Sequence, residues 1–380
     1  MAEALINSEI LTWARKRARM DVAQLARSLK ASVSQVSSWE AGQSRPSLNK
    51  TIDLAKTLSV PLGYLFLSRV PKEDLEISDL RTVADREKYS LSLNFRDALQ
   101  GALLKQQWFK DYRATEDFKI DFLRPSLTEH VPDEALATLI RSALGWTDDT
   151  RHDCATASEY LTELVKLAET LGILVMRSGV VGSNNRRTLS VSEFRGFALA
   201  DHRAPVIFIN SSDAKTAQVF TFAHELAHIS LGRSGVSNPE SIAATGKGPD
   251  IEIRCNGIAA SLVAPAKDIV AVWKTKATAA SVAAHFRVSE VVILRRALTL
   301  RIIDEKYFRE KLAAIPVRTA KKGKGGNFHT TLPARNSPLF TRTLIGEVKR
   351  GSVGYREAGR LLGVKPSTIN KLGKGELRAR

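Results

Sequence analysis

Between Ala217 and Gly232 the chain reads AQVFTFAHELAHISLG, and within it His224, Glu225 and His228 form an H-E-x-x-H pattern. No other feature constrains the fold so tightly. On an α-helix, side chains at i and i+4 share a face, so two imidazoles at this spacing can aim at one metal ion. Glu225 lies beside the same point and can take a proton from an attacking water. The flanks predict a helix: Ser212 and Asp213 offer N-caps, Phe220, Ala223, Ala227 and Leu231 mark an apolar side, and Gly232 stands as a C-cap. A bare H-E-x-x-H arises by chance in about one chain in a hundred of this length. The plainer alternative is a buried helix whose histidines hydrogen-bond locally.

The segment DIEIRCNGIAASLVAP, from Asp250 to Pro265, argues against that alternative. Hydrolytic zinc wants three protein ligands and one open position. Glu252 follows His228 by 24 residues and sits in a second apolar-periodic run with Ile253, Ile258, Ala259 and Leu262. It is the preferred third ligand. Asn256, one turn further on, is expected to hold Glu252 from behind. Asp250 and Glu240 rank lower because neither is expected to begin a clear helix.

TFAHELAHISLG followed by E-x-x-C-N-x-x-A-A-x-L-x-x-P resembles the ImmA/IrrE family of zinc metallopeptidases. The upstream run GFALADHRAPVIFINSSDAKTAQ is similar to the lead-in strand and helix start of the same family. The resemblance implies His224, His228 and Glu252 as Zn2+ ligands and Glu225 as the general base. One departure is Ala264, where many members carry Met before the proline; it reads as a tolerated core swap. A regulatory protease that cuts a cognate repressor is implied, rather than a digestive one.

Charge separates the ends from the middle. Of the formal net charge of +17, residues 1–70 carry +5 and residues 316–380 carry +12, which leaves the 245 residues between them neutral. Both ends suit a polyanion and the centre does not. At 380 residues the chain can build two or three cores, and its two distant cysteines, Cys154 and Cys255, fit a reducing cytoplasm. No apolar run approaches about 18 residues and no basic-then-apolar leader opens the chain, so no membrane partner is expected.

In the N-terminal part the charge accompanies a motif. LTWARKRARM reads as a first helix with Leu11, Ala14 and Ala18 on one face. Asp21 caps a second, with Val22, Leu25, Ala26 and Leu29 inward. After the turn KAS comes a third, with Val33, Val36 and Trp39 inward and Gly42 stopping it. SLNKTIDLAKTLSV and PLGYLFL read as a fourth and a fifth. With S-Q-V-S-x-W-E-x-G in place, the five-helix pattern resembles the XRE-type helix-turn-helix. That implies a third helix lying in the major groove of operator DNA, where Ser32, Ser34, Gln35 and Ser38 read base edges. Gln24, Arg45 and Asn49 are candidates for phosphate contacts. Such heads bind paired half-sites, so a homodimer is expected. The alternative is a helical domain used only for protein contact.

The domains expected are thus a helix-turn-helix head at 1–70, a helical connector at 71–150, a peptidase at 151–315, a basic glycine-rich linker at 316–327 and a small basic helical module at 328–380. In the connector, ISDLRTV, FRDALQGALLKQQWFKDY and EALATLIRSALGW read as helices, and Gln106, Gln107 and Trp108 as core rather than site. The peptidase is expected to be a small α+β core in a mainly α, multidomain chain. A helix ends at Gly172, followed by strands in LGILVMR, in SNNRRTLSVSEFRGFALAD (two) and in PVIFIN. An edge strand beside the metal helix can pair with a substrate backbone. Arg195, Asp201 and His202 lie nearby, and His202 is expected to be structural. From Thr278, TAASVAAHFRVSEVVILRRALTL repeats helix-turn-helix grammar around Ala283 and Val288-Ser289. Having few polar readers, it reads as a structural pair that closes the peptidase. YREAGRLLGVKPSTINKLGKG again reads helix, turn, helix, with Lys365, Lys371 and Lys374 exposed.

Two functions fit these residues. One is a DNA-binding regulator whose zinc endopeptidase cuts a repressor, a partner or itself in a stress, prophage or toxin–antitoxin response. The other is a non-catalytic regulator or antitoxin that represses its own promoter and grips a partner toxin through the peptidase fold.

Overall fold

The computed structural model describes residues 3–71, 92–114, 130–237, 250–276, 278–315 and 327–373. The expected helix in ISDLRTV, the candidate Glu240, the linker up to residue 326 and Lys374 lie outside them. The chain divides into two compact units, Met1–Asp97 and Ala98–Arg380.

The first unit holds α1 (Ser8–Arg17), α2 (Val22–Leu29), α3 (Val33–Glu40) and α4 (Leu48–Thr57). α1 starts earlier than its apolar pattern implied, because the Asn7 side chain accepts from the Glu9 N–H and caps it there. Asp21 and Ser32 cap α2 and α3 in full capping boxes, closed by Gln24 and Gln35 respectively. Ile10, Leu11, Ala14, Leu25, Ala26, Leu29, Val36, Trp39 and Leu54 make the core. Arg15 on α1 pairs with Glu40 at the end of α3 at 2.7 Å, half-buried. Two expectations need correcting. The fifth helix is a 3-10 turn, Leu62–Phe66, set by Pro61 and too short for an α ladder. Val33 is half exposed, because it is the first residue of α3 and faces out past the cap.

The second unit contains the remainder of α5 (Leu93–Ala114), followed by α6 (Asp133–Leu144), α7 (Asp149–His152) and α8 (Ala157–Thr170). Strands β1 (Leu174–Ser178), β4 (Gly196–Leu199), β5 (Val206–Asn210) and β6 (Gly235–Ser237) form a mixed sheet in the order β1–β5–β4–β6. β1 and β5 are parallel; β4 runs antiparallel to β5 and β6. β2 (Val180–Val181) and β3 (Asn184–Thr188) form a separate hairpin. α9 (Lys215–Ser230) packs on β4 and β5, and α10 (Asp250–Val263) packs between α9 and α6. Leu136, Ile140 and Trp146 join the core built around α9 and α10, so α6 is a wall of the helix pair that carries His224, His228 and Glu252.

Beyond α10 run α11 (Ala266–Thr275), α12 (Ala279–Phe286), α13 (Glu290–Thr299) and α14 (Glu305–Ala314). Val282, Ala283, Phe286, Val292 and Ile293 of the α12–α13 pair are buried in the same core. Glu134 of α6 accepts from Ser261 Oγ at 2.7 Å, from the Ala266 N–H at 2.7 Å and from Arg296. It thereby fastens the end of the helix that carries Glu252.

The chain closes with α15 (Phe328–Asn336), α16 (Pro338–Arg350), α17 (Tyr355–Leu362) and α18 (Pro366–Gly373). α15 lies against β1. Glu169 of α8 accepts from Ser337 Oγ at 2.6 Å and from the Leu339 N–H at 2.8 Å, where α16 begins. Burial pushes the Glu169 carboxyl up to about 7. Trp108 meets Phe340 of α16 edge to face at 5.4 Å, and Gln106 donates to the carbonyls of Leu199 and Ala204. These polar and aromatic groups of α5 brace the fold. Among the described residues no single helix is long and apolar enough to cross a membrane.

Candidate functional site

α9 has no side-chain cap: neither Ser212 nor Asp213 caps it, and Ala214 stands at the N-cap. The turn is tied instead by Gln218, whose amide donates to the Ser211 and Asp213 carbonyls at 3.2 and 2.7 Å. The helix ends at Ser230, with Leu231 as its C-cap and Gly232, expected in that place, one residue further on at φ +64°. Every residue from Ala217 to Ser230 is buried. The expected single apolar side is thus exceeded, because sheet, α8 and α10 enclose α9 from different directions. A helix so enclosed holds its side chains in fixed positions.

His224 and His228 project from α9 towards Glu252 on α10. Their Nε2 atoms lie 3.1 Å apart. His224 Nε2 is 3.3 Å from Glu252 Oε2, and His228 Nε2 is 3.2 Å from Glu252 Oε1. His224 and His228 are each 1% exposed, Glu252 8%. Asn256 Oδ1 sits 3.0 Å from His224 Nδ1. Asn256, expected to hold Glu252, thus also reaches the imidazole of His224 across the α9–α10 contact. A proton on Nδ1 held by this oxygen leaves the Nε2 lone pair free for a metal. Asp250 does open α10, against expectation, but it is exposed.

Glu225 is fully buried beside the pair. Ser237, the last residue of β6, donates to Glu225 Oε1, while Oε2 has no hydrogen-bond partner among the described residues. Two glycines make room. A Cβ on Gly235 would sit 2.6 Å from His228 Cε1, and one on Gly196 would sit 2.7 Å from Glu225 Oε1. β6 and β4 thus press bare backbone against the site. Gly196, Gly235 and Ser237 were not legible in the sequence; β6 is only three residues long, and nothing local marks it.

Burial pushes the Glu225 carboxyl up to about 8, against the opposing pull of His224 and Ser237. Burial raises Glu252 too, yet hydrogen bonds and charge from both histidines outweigh it and hold that group well below the usual carboxylate range. Two imidazole nitrogens and a carboxylate, buried and converging within hydrogen-bond distance, are a donor set that suits a borderline-soft divalent ion. Of the described residues, His224, His228 and Glu252 alone form such a group. The residues fit a metal.

In the first unit Ser32, Ser34, Gln35, Gln24, Arg45 and Asn49 are exposed and Ser38 is half-buried. Ser32 and Gln35 are partly committed to capping: the Gln35 Oε1 accepts from the Ser32 N–H at 3.1 Å. Gln24 does the same for Asp21 at 2.9 Å. In both glutamines the carbonyl oxygen is the capping atom, while the amide NH2 stays available as a donor. Ser38 Oγ lies 2.7 Å from Ser44 Oγ.

The other polar groups have structural partners. Asp201 accepts from the Arg203 and Ala204 N–H groups and pairs with Lys110 at 2.6 Å. Arg195 lies 3.6 Å from Asp213. His202 is exposed. Cys255 is buried, which pushes its thiol well above the usual value and leaves it unreactive.

Residues 168–298, which include all four polar residues of the site, match the family model for the IrrE N-terminal-like domain. Residues 11–65 match the helix-turn-helix family, and residues 336–375 match a domain of unknown function. No match was found among curated proteins or among solved structures. The fold and the site define a regulator that joins a DNA-binding head to a peptidase-like domain. More narrowly, an XRE-type helix-turn-helix is fused to an ImmA/IrrE-like peptidase domain bearing a candidate metal site.

Proposed function

We propose that this chain is a transcriptional regulator with a zinc-dependent endopeptidase, which cuts a regulatory protein such as a repressor, a partner or a second copy of itself. The observation that carries this reading is the meeting of His224, His228 and Glu252 beside a buried Glu225 that a strand-end serine orients. Zinc held by those three ligands would supply Lewis-acid polarisation of the scissile carbonyl and an acidified water.

The chain's own residues do the rest. Asn256 sets the tautomer and plane of His224. Glu225, with one oxygen tied to Ser237 and the other free, accepts the proton of the attacking water and later delivers it to the leaving amine. β6 ends the sheet order, so its outer edge has no strand partner among the described residues. That edge can hold an extended peptide by main-chain hydrogen bonds next to the ligands. In the head, Ser32, Ser34, Gln35 and Ser38 face base edges of an operator, while Gln24, Arg45 and Asn49 take phosphates, with two copies on paired half-sites.

Glu225→Gln preserves shape and removes the proton acceptor. In a cell lysate whose new N-termini are chemically labelled, wild type should create termini that Glu225→Gln does not, with metal content equal in both. Equal sets of termini would remove the catalytic reading and leave a partner-gripping regulator.

A further inference from the structure

The last three helices repeat the first three at a constant displacement. α1 ends at residue 17 and α16 at 350; α2 spans 22–29 and α17 spans 355–362; α3 spans 33–40 and α18 spans 366–373. Every one of these boundaries is shifted by 333 residues. Burial follows the same register: Leu11, Leu25, Ala26, Leu29 and Val36 are buried, and so are Leu344, Ala358, Gly359, Leu362 and Ile369. α1 packs on α3 as α16 packs on α18.

The turn is also the same. After α2, Lys30 is left-handed at φ +51° and the Ala31 N–H donates to the Ala26 carbonyl at 3.0 Å. After α17, Gly363 is left-handed at φ +66° and the Val364 N–H donates to the Gly359 carbonyl at 2.9 Å. The turn comes so close that a Cβ on Gly359 would sit 2.8 Å from the Val364 oxygen. Glycine alone fits there without a shift of the backbone; in the head the equivalent place is held by Ala26, the next smallest residue.

α12 and α13 share this turn, with the Val288 N–H donating to the Ala283 carbonyl at 3.1 Å. They are not equivalent in what they expose. The positions of α13 that match the outer face of α3 include Val292 and Leu294, both buried. On α18 the positions matching those two are Thr368, half-buried, and Asn370, exposed; Ser367 and Lys371 on the same face and Lys365 just ahead of the helix are exposed as well. Residues 338–373 carry seven Lys/Arg against two Asp/Glu, and one of those acids, Glu347, is buried and paired with Arg350. Arg356, Arg360 and Lys365 line one open cleft beside the turn. The β2–β3 hairpin stands next to it, its Ser183 Oγ donating to the Gly363 carbonyl at 2.9 Å, and it carries the exposed Arg186.

We propose that residues 338–373 are a second helix-turn-helix that binds duplex DNA, with α18 entering a groove and Lys365, Lys371 and the Arg356–Arg360 edge on the phosphates. The first helix-turn-helix of the chain supplies the geometry, and the excess of exposed cations supplies the attraction. This surface gives one chain two DNA contacts, and it does not depend on the peptidase.

The test uses full-length protein and a labelled random-sequence duplex, titrated by fluorescence anisotropy across a salt series. Lys365→Ala with Lys371→Ala should lower the slope of log K against log salt by about 1.8, since each lost phosphate contact removes about 0.9. Arg356→Ala with Arg360→Ala, on the other helix, should act in the same direction. A head variant, Ser34→Glu with Arg45→Glu, should keep a salt-dependent residue of binding that disappears when the two lysines are also replaced. Unchanged slope and affinity in both C-terminal double variants, with helical circular dichroism retained, would overturn the proposal. Loss of a protein contact by the same variants with DNA binding intact would assign the surface to a protein instead. Full binding by the head variant would count against the N-terminal reading alone.

Discussion

α9 and α3 both carry a functional motif, but they hold it in opposite ways. α9 is enclosed on all sides, and its histidines and Glu225 are placed by contacts from other elements: Asn256 on α10, Ser237 and Gly235 on β6, Gly196 on β4. α3 buries only Val36 and Trp39, and its candidate readers are arranged by its own capping box. The first arrangement is rigid and intolerant of any added atom. The second is locally self-sufficient and open to a partner. Chemistry on a small molecule of water needs the former; reading a long polymer needs the latter.

The largest effect separating the two should come from Gly235→Val. A branched side chain there drives into His228, and such overpacking costs about 1–3 kcal/mol before any ligand is considered. Metal affinity, measured by competition with a chelating dye, should fall by more than about 100-fold, because a ligand itself is displaced rather than its support. DNA binding should be unchanged. A site that kept its affinity would show that β6 does not press on His228.

Asn256→Ala should have the next largest effect. Removing the oxygen that faces His224 Nδ1 should weaken metal binding by roughly 10–100-fold. Full affinity in this variant would mean that His224 keeps its tautomer without help.

In the open helix the effects are smaller and of two kinds. Gln35→Ala should cost about 1–3 kcal/mol at the preferred operator and little on random DNA, so that sequence preference relaxes. Arg45→Ala should weaken binding to every sequence alike and reduce the salt slope by about 1. If the two variants behaved identically in a competition titration, the division between base readers and phosphate contacts would be wrong.

The same contrast explains what could be read from the chain. Spacing on one helix is local, so the i, i+4 histidines were legible, and so was the capping grammar of α2 and α3. Glu252 was accessible because it opens the first turn of a second apolar run. The bracing of the site was not. The contact of Asn256 with His224 depends on how α10 crosses α9, which spacing along one helix does not give. Gly196, Gly235 and Ser237 matter through how β4 and β6 pack on α9, for which a single sequence carries no signal. The 3-10 turn at Leu62–Phe66 and the exposure of Val33 were missed for a different reason: at element ends, proline and caps override apolar periodicity.

The most direct measurement is zinc per chain in purified full-length protein, by elemental analysis, beside His224→Ala and Glu252→Ala. About one zinc in wild type, with clear loss in both variants, is the expected result. Zinc lost from His224→Ala but kept by Glu252→Ala would contradict the third ligand, and a wild type that takes up no zinc when it is supplied would contradict the metal centre itself.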